Sequence, residues 1–220
     1  LISENRKSKL LLGNSIDYNL YLSHKKTHFV NDIKSDYALF LESPTPFFLG
    51  DISLIGEELI MQDALKWEIS FDNFCNFIEK KYNLKVFIAN HPRVKHESQN
   101  PKYYRGRTVL KSPLYHTSKD AKLLINKGST AIAYGIIYKI PIMFITSSDT
   151  IIKRPTQLAH YKFLASHLDK TIINIDDNLE NKIGDDIFKI NYEKYNEYRK
   201  NFITARNDGI LNSDIIKEIL

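Results

Sequence analysis

Apolar runs of strand length alternate along the chain with stretches of helical period. Tyr37-Ala38-Leu39-Phe40-Leu41 is short and continuously apolar, and Ser43-Pro44-Thr45-Pro46 punctuates it, so a strand and then a turn are predicted. From Asp63 to Tyr82 the period changes. Leu65, Ile69, Phe74, Phe77 and Ile78 fall roughly on one face, with Glu79-Lys80-Lys81 at the exit, which predicts an amphipathic helix. Leu84–Ala89, Thr108-Val109-Leu110, Ala121–Ile125, Pro141–Ile145 and Thr171–Ile175 predict further strands. Ser129-Thr130 opens a helix that runs to about Tyr138, and Pro155–Leu168, Tyr192–Arg206 and Ser213–Leu220 also read as helical.

Continuously apolar strands separated by helices imply a parallel sheet covered on both faces. The expected fold is α/β, a Rossmann-like doubly wound parallel sheet. It is assigned to residues 36–220, as a nucleotide-binding domain. Residues 1–35 form a separate N-terminal segment in this reading, a remnant of an acceptor domain. Within it Lys9–Leu12 is a candidate strand and Gly13-Asn14-Ser15 a turn. The chain starts at Leu1 without a signal peptide, and the expectation is that it is one part of a longer protein.

Composition narrows the function classes. A hydrophobic share of 43% and a charged share of 26% are ordinary for a globular chain and exclude a disordered one. Ala131–Thr146 is the longest apolar candidate for a membrane span, and Tyr134, Gly135, Lys139 and Pro141 interrupt it. The net charge of +5 suits an anionic small molecule or an acidic membrane surface. The lysines are scattered and form no basic stripe, which ranks nucleic acid last among partners. Cys75 is the only cysteine, so a disulfide within the chain and a cysteine-based zinc site are both excluded; among Phe71, Phe74 and Phe77 it reads as a buried structural thiol.

Open parallel sheets bind ligands beyond the carboxyl ends of their strands. Those exits here are polar, and none carries a glycine-rich dinucleotide fingerprint or a Walker A loop. Lys127-Gly128-Ser129-Thr130 is the most informative. Gly128 permits a tight turn, Ser129 or Thr130 can cap the following helix, and the first-turn N–H groups and hydroxyls suit an anion. Lys127 is expected to add a full positive charge. Taken alone, Ser129 is simply a helix cap. Asn90-His91-Pro92-Arg93 is the second exit. Pro92 ends the strand and holds His91 at the ligand edge, where the imidazole can donate to a phosphate oxygen. Arg93 can grip phosphate with two N–H groups. Taken alone, His91 is a turn histidine. Glu42, after the first strand, is a candidate for a ribose hydroxyl or for a helix cap. The remaining histidines have no metal-ligand spacing, and no metal site is expected.

As a set, Phe40-Leu41-Glu42-Ser43-Pro44, Ala89-Asn90-His91-Pro92-Arg93, Leu124 through Gly135 and Lys139-Ile140-Pro141-Ile142 resemble the C-terminal half of bacterial GT-B glycosyltransferases of surface polysaccharides. The closest resemblance is to the sialyltransferase and Kdo-transferase group, and it covers roughly Tyr37 to Asp149. That resemblance implies a CMP-linked acidic sugar as donor and a glycan or glycolipid as acceptor. It also implies inversion without a bound metal or other cofactor. His91 would then bind the phosphate and assist the leaving nucleotide, and Ser129 and Thr130 would bind the same phosphate. The group's acidic motif, two acidic residues before a glycine, carries the general base. It is missing here, since Gly50-Asp51 has the reverse order, so either the base lies in a preceding portion or the chain is of another family. A cytoplasmic place, with peripheral contact to the inner membrane, follows from the same resemblance. The competing readings are a CDP-glycerol or CDP-ribitol phosphotransferase and a non-catalytic nucleotide-binding domain of an assembly complex. A hydrolysing sugar-nucleotide epimerase is more remote.

Overall fold

The computed structural model describes residues 11–27, 33–42, 64–89, 91, 104–204 and 209–217. Among these, β1 (Tyr37–Leu41), β2 (Lys85–Ala89), β3 (Val109–Leu110), β4 (Leu123–Asn126), β5 (Ile142–Thr146) and β6 (Ile172–Asn174) form one sheet. Its order is β3-β2-β1-β4-β5-β6, and every pairing is parallel. This is the Rossmann-like sheet expected from the apolar runs. The order reverses between β1 and β4. Leu41 lies opposite both Ala89 and Asn126, so β1, β2 and β4 end level with one another.

The pleat explains why the strands are apolar throughout. Successive side chains point to opposite faces, and helices cover both. Tyr37, Leu39, Leu41, Phe87, Ala89, Leu124, Ile142 and Phe144 belong to one core cluster. Ala38, Phe40, Val86, Ile88, Leu123, Ile125, Met143 and Ile145 belong to the other. Neither set has a solvated face on which a polar residue would be preferred.

The helices are α1 (Ile16–His24), α2 (Ala64–Tyr82), α3 (Leu114–Thr117), α4 (Ala133–Tyr138), α5 (Ser148–Lys153), α6 (Pro155–His167), α7 (Leu179–Lys182), α8 (Tyr192–Tyr198) and α9 (Asn212–Lys217). Helix α2 buries Trp67, Phe71, Phe74, Cys75 and Ile78, whereas Leu65 and Ile69 are exposed. The buried face is therefore rotated from the one the aliphatic residues suggest. The aromatic rings set it: Trp67 stacks on Phe71 at 4.7 Å, and Phe71 meets Phe40 of β1 at 4.5 Å between centroids. Cys75 is fully buried in this cluster, and burial pushes its thiol pKa far up.

Residues 11–27 share a core with the sheet. Tyr18 and Leu22 of α1 join the first cluster. The Ser15 N–H donates to Ile203 O at 2.9 Å, the Asn14 amide to Ile210 O at 2.8 Å, and the Asn212 N–H to Asn19 Oδ1 at 2.8 Å. These bonds stitch the beginning of the described chain to its end. Of the candidate strand Lys9–Leu12, the first half lies outside the described residues, and Leu11 and Leu12 carry no regular structure.

After β5, Ser147 Oγ accepts from the Thr150 N–H at 3.3 Å and caps α5. Arg154 then breaks the helix, and Pro155 opens α6. Beyond α8 the chain continues as a π-helical turn, Arg199–Ile203, rather than as one long α-helix. Among the described residues, no helix is long and apolar enough to cross a membrane.

Candidate functional site

The level ends of β1, β2 and β4 bring three loops together at the point where the strand order reverses. In sheets of this type that crevice receives the ligand.

Glu42 follows β1 and is 4% exposed. Both of its carboxylate oxygens are engaged. Oε2 accepts from the His91 N–H at 2.7 Å, and Oε1 accepts from the Tyr104 O–H at 2.6 Å. Burial and the adjacent carboxylate push the Tyr104 hydroxyl pKa well above its usual value, so that proton stays on tyrosine. Glu42 thus ties the exit of β1 to the exit of β2 and sets where the His91 backbone starts.

The exit of β4 is a tight turn. Asn126 Oδ1 accepts from the Ser129 N–H at 2.8 Å. Gly128 has φ +84°, the left-handed region that glycine enters without a steric penalty. Ser129 Oγ accepts from the Ala131 N–H at 3.3 Å and caps the 3₁₀ turn Thr130–Ile132, which runs into α4. That bond uses the oxygen as acceptor and leaves the hydroxyl proton to donate.

His91, Glu42, Ser129 and Thr130 all line one cavity of 170 Å³, with Leu41, Ala89, Leu114 and Asp17. Two loops separated by dozens of residues therefore meet at one pocket. Its volume is well below the roughly 300–1,000 Å³ of a complete small-molecule pocket.

Lys127 and Gly128 do not line this cavity. By the pleat, Lys127 falls on the same side as Leu123 and Ile125, the face covered by α2. Its Nζ lies 4.6 Å from the centre of the Trp67 ring, and the residue is 1% exposed. Burial lowers its pKa to about 7, against an opposing pull from Asp149. The full positive charge expected at the crevice is therefore replaced by a buried amine whose charged form burial disfavours. Gly128 packs against Tyr161, and its carbonyl oxygen lies 3.1 Å from His160 Nε2. Pro92 and Arg93 lie outside the described residues.

The Lys127 shift has a measurable consequence. Above about pH 7 the folded chain sheds this proton, while the unfolded chain keeps it up to the ordinary lysine range. Stability therefore rises with pH across that window, and Lys127→Met flattens the rise. Denaturation midpoints at about pH 7 and about pH 9.5, both inside that window, check this. An equal slope in wild type and variant contradicts it.

Asp17 is the site residue that the residue pattern alone did not reveal. It sits in the first turn of α1, capped by Ser15, and lines the cavity. Burial raises its pKa, partly offset by a hydrogen bond from the Tyr134 side chain. Tyr134 is itself pushed up, by burial and by Asp17. The available signal was Ser15 as an N-cap with an acidic residue two positions later.

A larger cavity of 550 Å³ opens where Ile142 and Thr171 enter β5 and β6, at the amino edge of the sheet. Its Lys170 Nζ donates to Lys189 O at 2.6 Å, and its Asn191 amide to Asp169 at 3.1 Å. Ligands of doubly wound sheets gather at the other edge.

No protein-family model matches the sequence, and no curated protein matches it. Among solved structures, the chain is similar to the glycotransferase of kitacinnamycin, at 10% identity and a TM-score of 0.42. The likeness covers 88% of this chain and 45% of that one, so the chain spans under half the length of that protein.

Proposed function

We propose that the chain is the nucleotide-binding half of a GT-B-type glycosyltransferase, with a CMP-linked acidic sugar as donor and a glycan or glycolipid as acceptor. The observation that carries this reading is the meeting of His91, Ser129 and Thr130 at one cavity where the strand order reverses. The cytidine and the acidic sugar rest on the resemblance of the His-Pro and Ser-Thr segments to sialyl- and Kdo-transferases.

In this reading the hydroxyls of Ser129 and Thr130 and the imidazole of His91 donate to the phosphate of the donor. As the bond from the anomeric carbon to the phosphate oxygen breaks, negative charge builds on the departing nucleotide. Fixed donors stabilise that charge at little reorganisation cost. The acceptor hydroxyl attacks the anomeric carbon from the opposite side and loses its proton to a base on the facing domain. Glu42 positions His91 through its backbone N–H.

Thermal stabilisation by CMP, compared with UDP, GDP and ADP, tests the reading. CMP is expected to raise the melting temperature most, and His91→Ala is expected to remove most of that rise while leaving the unliganded melting temperature within a few degrees. Stabilisation by none of the four, or equal stabilisation of wild type and His91→Ala, overturns it.

A further inference from the structure

The lining of the cavity carries two kinds of chemistry, donor-bearing side chains on Ser129, Thr130 and His91 and a carboxylate on Asp17. Of the two carboxylates at the cavity, Glu42 has both oxygens engaged by protein donors. Asp17 accepts from Tyr134, and no lysine or arginine among the described residues acts on it. A carboxylate offers about four acceptor positions, so a single tyrosine leaves most of its capacity for a ligand.

A bare anion site has no use for such a group. Two negative charges in a partly desolvated pocket repel one another strongly. A ligand that is anionic at one end and rich in hydroxyls at the other turns the same arrangement into a match. Its phosphate meets the donors, and its hydroxyls donate to the carboxylate with charge-assisted bonds.

On this basis we infer that Asp17 is a specificity-determining residue that accepts hydrogen bonds from sugar hydroxyls of the bound ligand. It orients a sugar phosphate with the phosphate toward Ser129 and Thr130. The inference rests on the proposed nucleotide-sugar site and assigns a role to its carboxylate. The hydroxyls belong either to the ribose of the nucleotide or to the transferred sugar. Both present the same chemistry to the carboxylate.

Calorimetric titration of the full chain separates the outcomes. The probes are inorganic phosphate, CMP, 2′,3′-dideoxy-CMP and CMP-N-acetylneuraminate, each against wild type, Asp17→Asn and Asp17→Ala. Asp17→Asn keeps an acceptor for Tyr134 and guards against loss of fold, which its melting temperature reports. The expected result is a change of opposite sign for the two ligand classes. Phosphate binds unchanged to about threefold tighter once the repelling charge is gone. The hydroxyl-bearing ligand binds about tenfold or more weaker. If the ribose is the partner, CMP shows the loss and 2′,3′-dideoxy-CMP binds wild type and variants alike. If the transferred sugar is the partner, only CMP-N-acetylneuraminate shows it.

Equal weakening of phosphate and nucleotides reveals a merely structural aspartate and overturns the inference, as does unchanged binding of every probe. Both outcomes leave the nucleotide site standing. Failure of wild type to bind CMP or CMP-N-acetylneuraminate overturns that site and this assignment together.

Discussion

Replacing Gly128 with alanine is expected to destabilise the chain by about 2–5 kcal/mol. Two independent costs add. At φ +84° a side chain pays the left-handed penalty of about 1–2 kcal/mol. The added Cβ would also stand 1.9 Å from Tyr161 Cε1 and 2.3 Å from Cδ1, so the ring must move. Tyr161 is 4% exposed, and moving a packed ring costs about a further 1–3 kcal/mol. Urea denaturation measures the sum, and a double-mutant cycle with Tyr161→Ala divides it. In the Tyr161→Ala background the alanine at 128 should cost only the backbone part. A loss below about 0.5 kcal/mol in wild type, the size of an ordinary surface effect, contradicts both the turn and the ring contact.

Gly128 also shows where the residue pattern stops informing about the site. That a glycine is needed after β4 is readable from the turn, because Asn126-Lys127-Gly128 interrupts an apolar run. That the glycine faces a tyrosine thirty-odd positions away is a tertiary fact. Lys127 fails differently. Motif reading counts it among the cations of an anion-binding turn. Alternation carried on from Leu123 and Ile125 puts it on the α2 face, under Trp67. The parity of the strand was available in the sequence and decides the side.

The strands were legible because burial on both faces leaves them uninterrupted apolar runs. β1 has the bounds predicted for it, β2 and β5 lie within one residue of theirs, and β4 lies within two. Helix α1 was not legible. Only Tyr18 and Leu22 are buried, while Ile16 and Leu20 face solvent, so its periodicity points nowhere. Its position comes from hydrogen bonds to Ile203, Ile210 and Asn212, nearly two hundred positions away, and Asp17 travels with it. A residue placed by such contacts has no local signature. Glu42 was legible as a candidate but not in its role, since its partners Tyr104 and His91 stand in different loops.

Glu42 yields the second large effect. Glu42→Gln is expected to cost about 3 kcal/mol of stability and also to weaken nucleotide binding. The carboxylate accepts from two donors, the His91 N–H and the Tyr104 O–H. A carboxamide of the same shape has one accepting oxygen, so its NH₂ group must face one of them. The orphaned donor then loses a charge-assisted bond in a buried place, a loss of about 1.5–3 kcal/mol, and the remaining bond weakens as the charge disappears. Tyr104→Phe separates stability from binding. It removes one donor, leaves the carboxylate on the His91 N–H, and is expected to cost about 1–3 kcal/mol. Since the backbone of His91 keeps its anchor in that variant, CMP affinity should hold within about twofold, whereas in Glu42→Gln it should fall about tenfold, the equivalent of one misplaced hydrogen bond. Equal losses of affinity in the two variants would show that the imidazole is held by something other than this bridge, and Glu42 would then be a residue of the core rather than of the site.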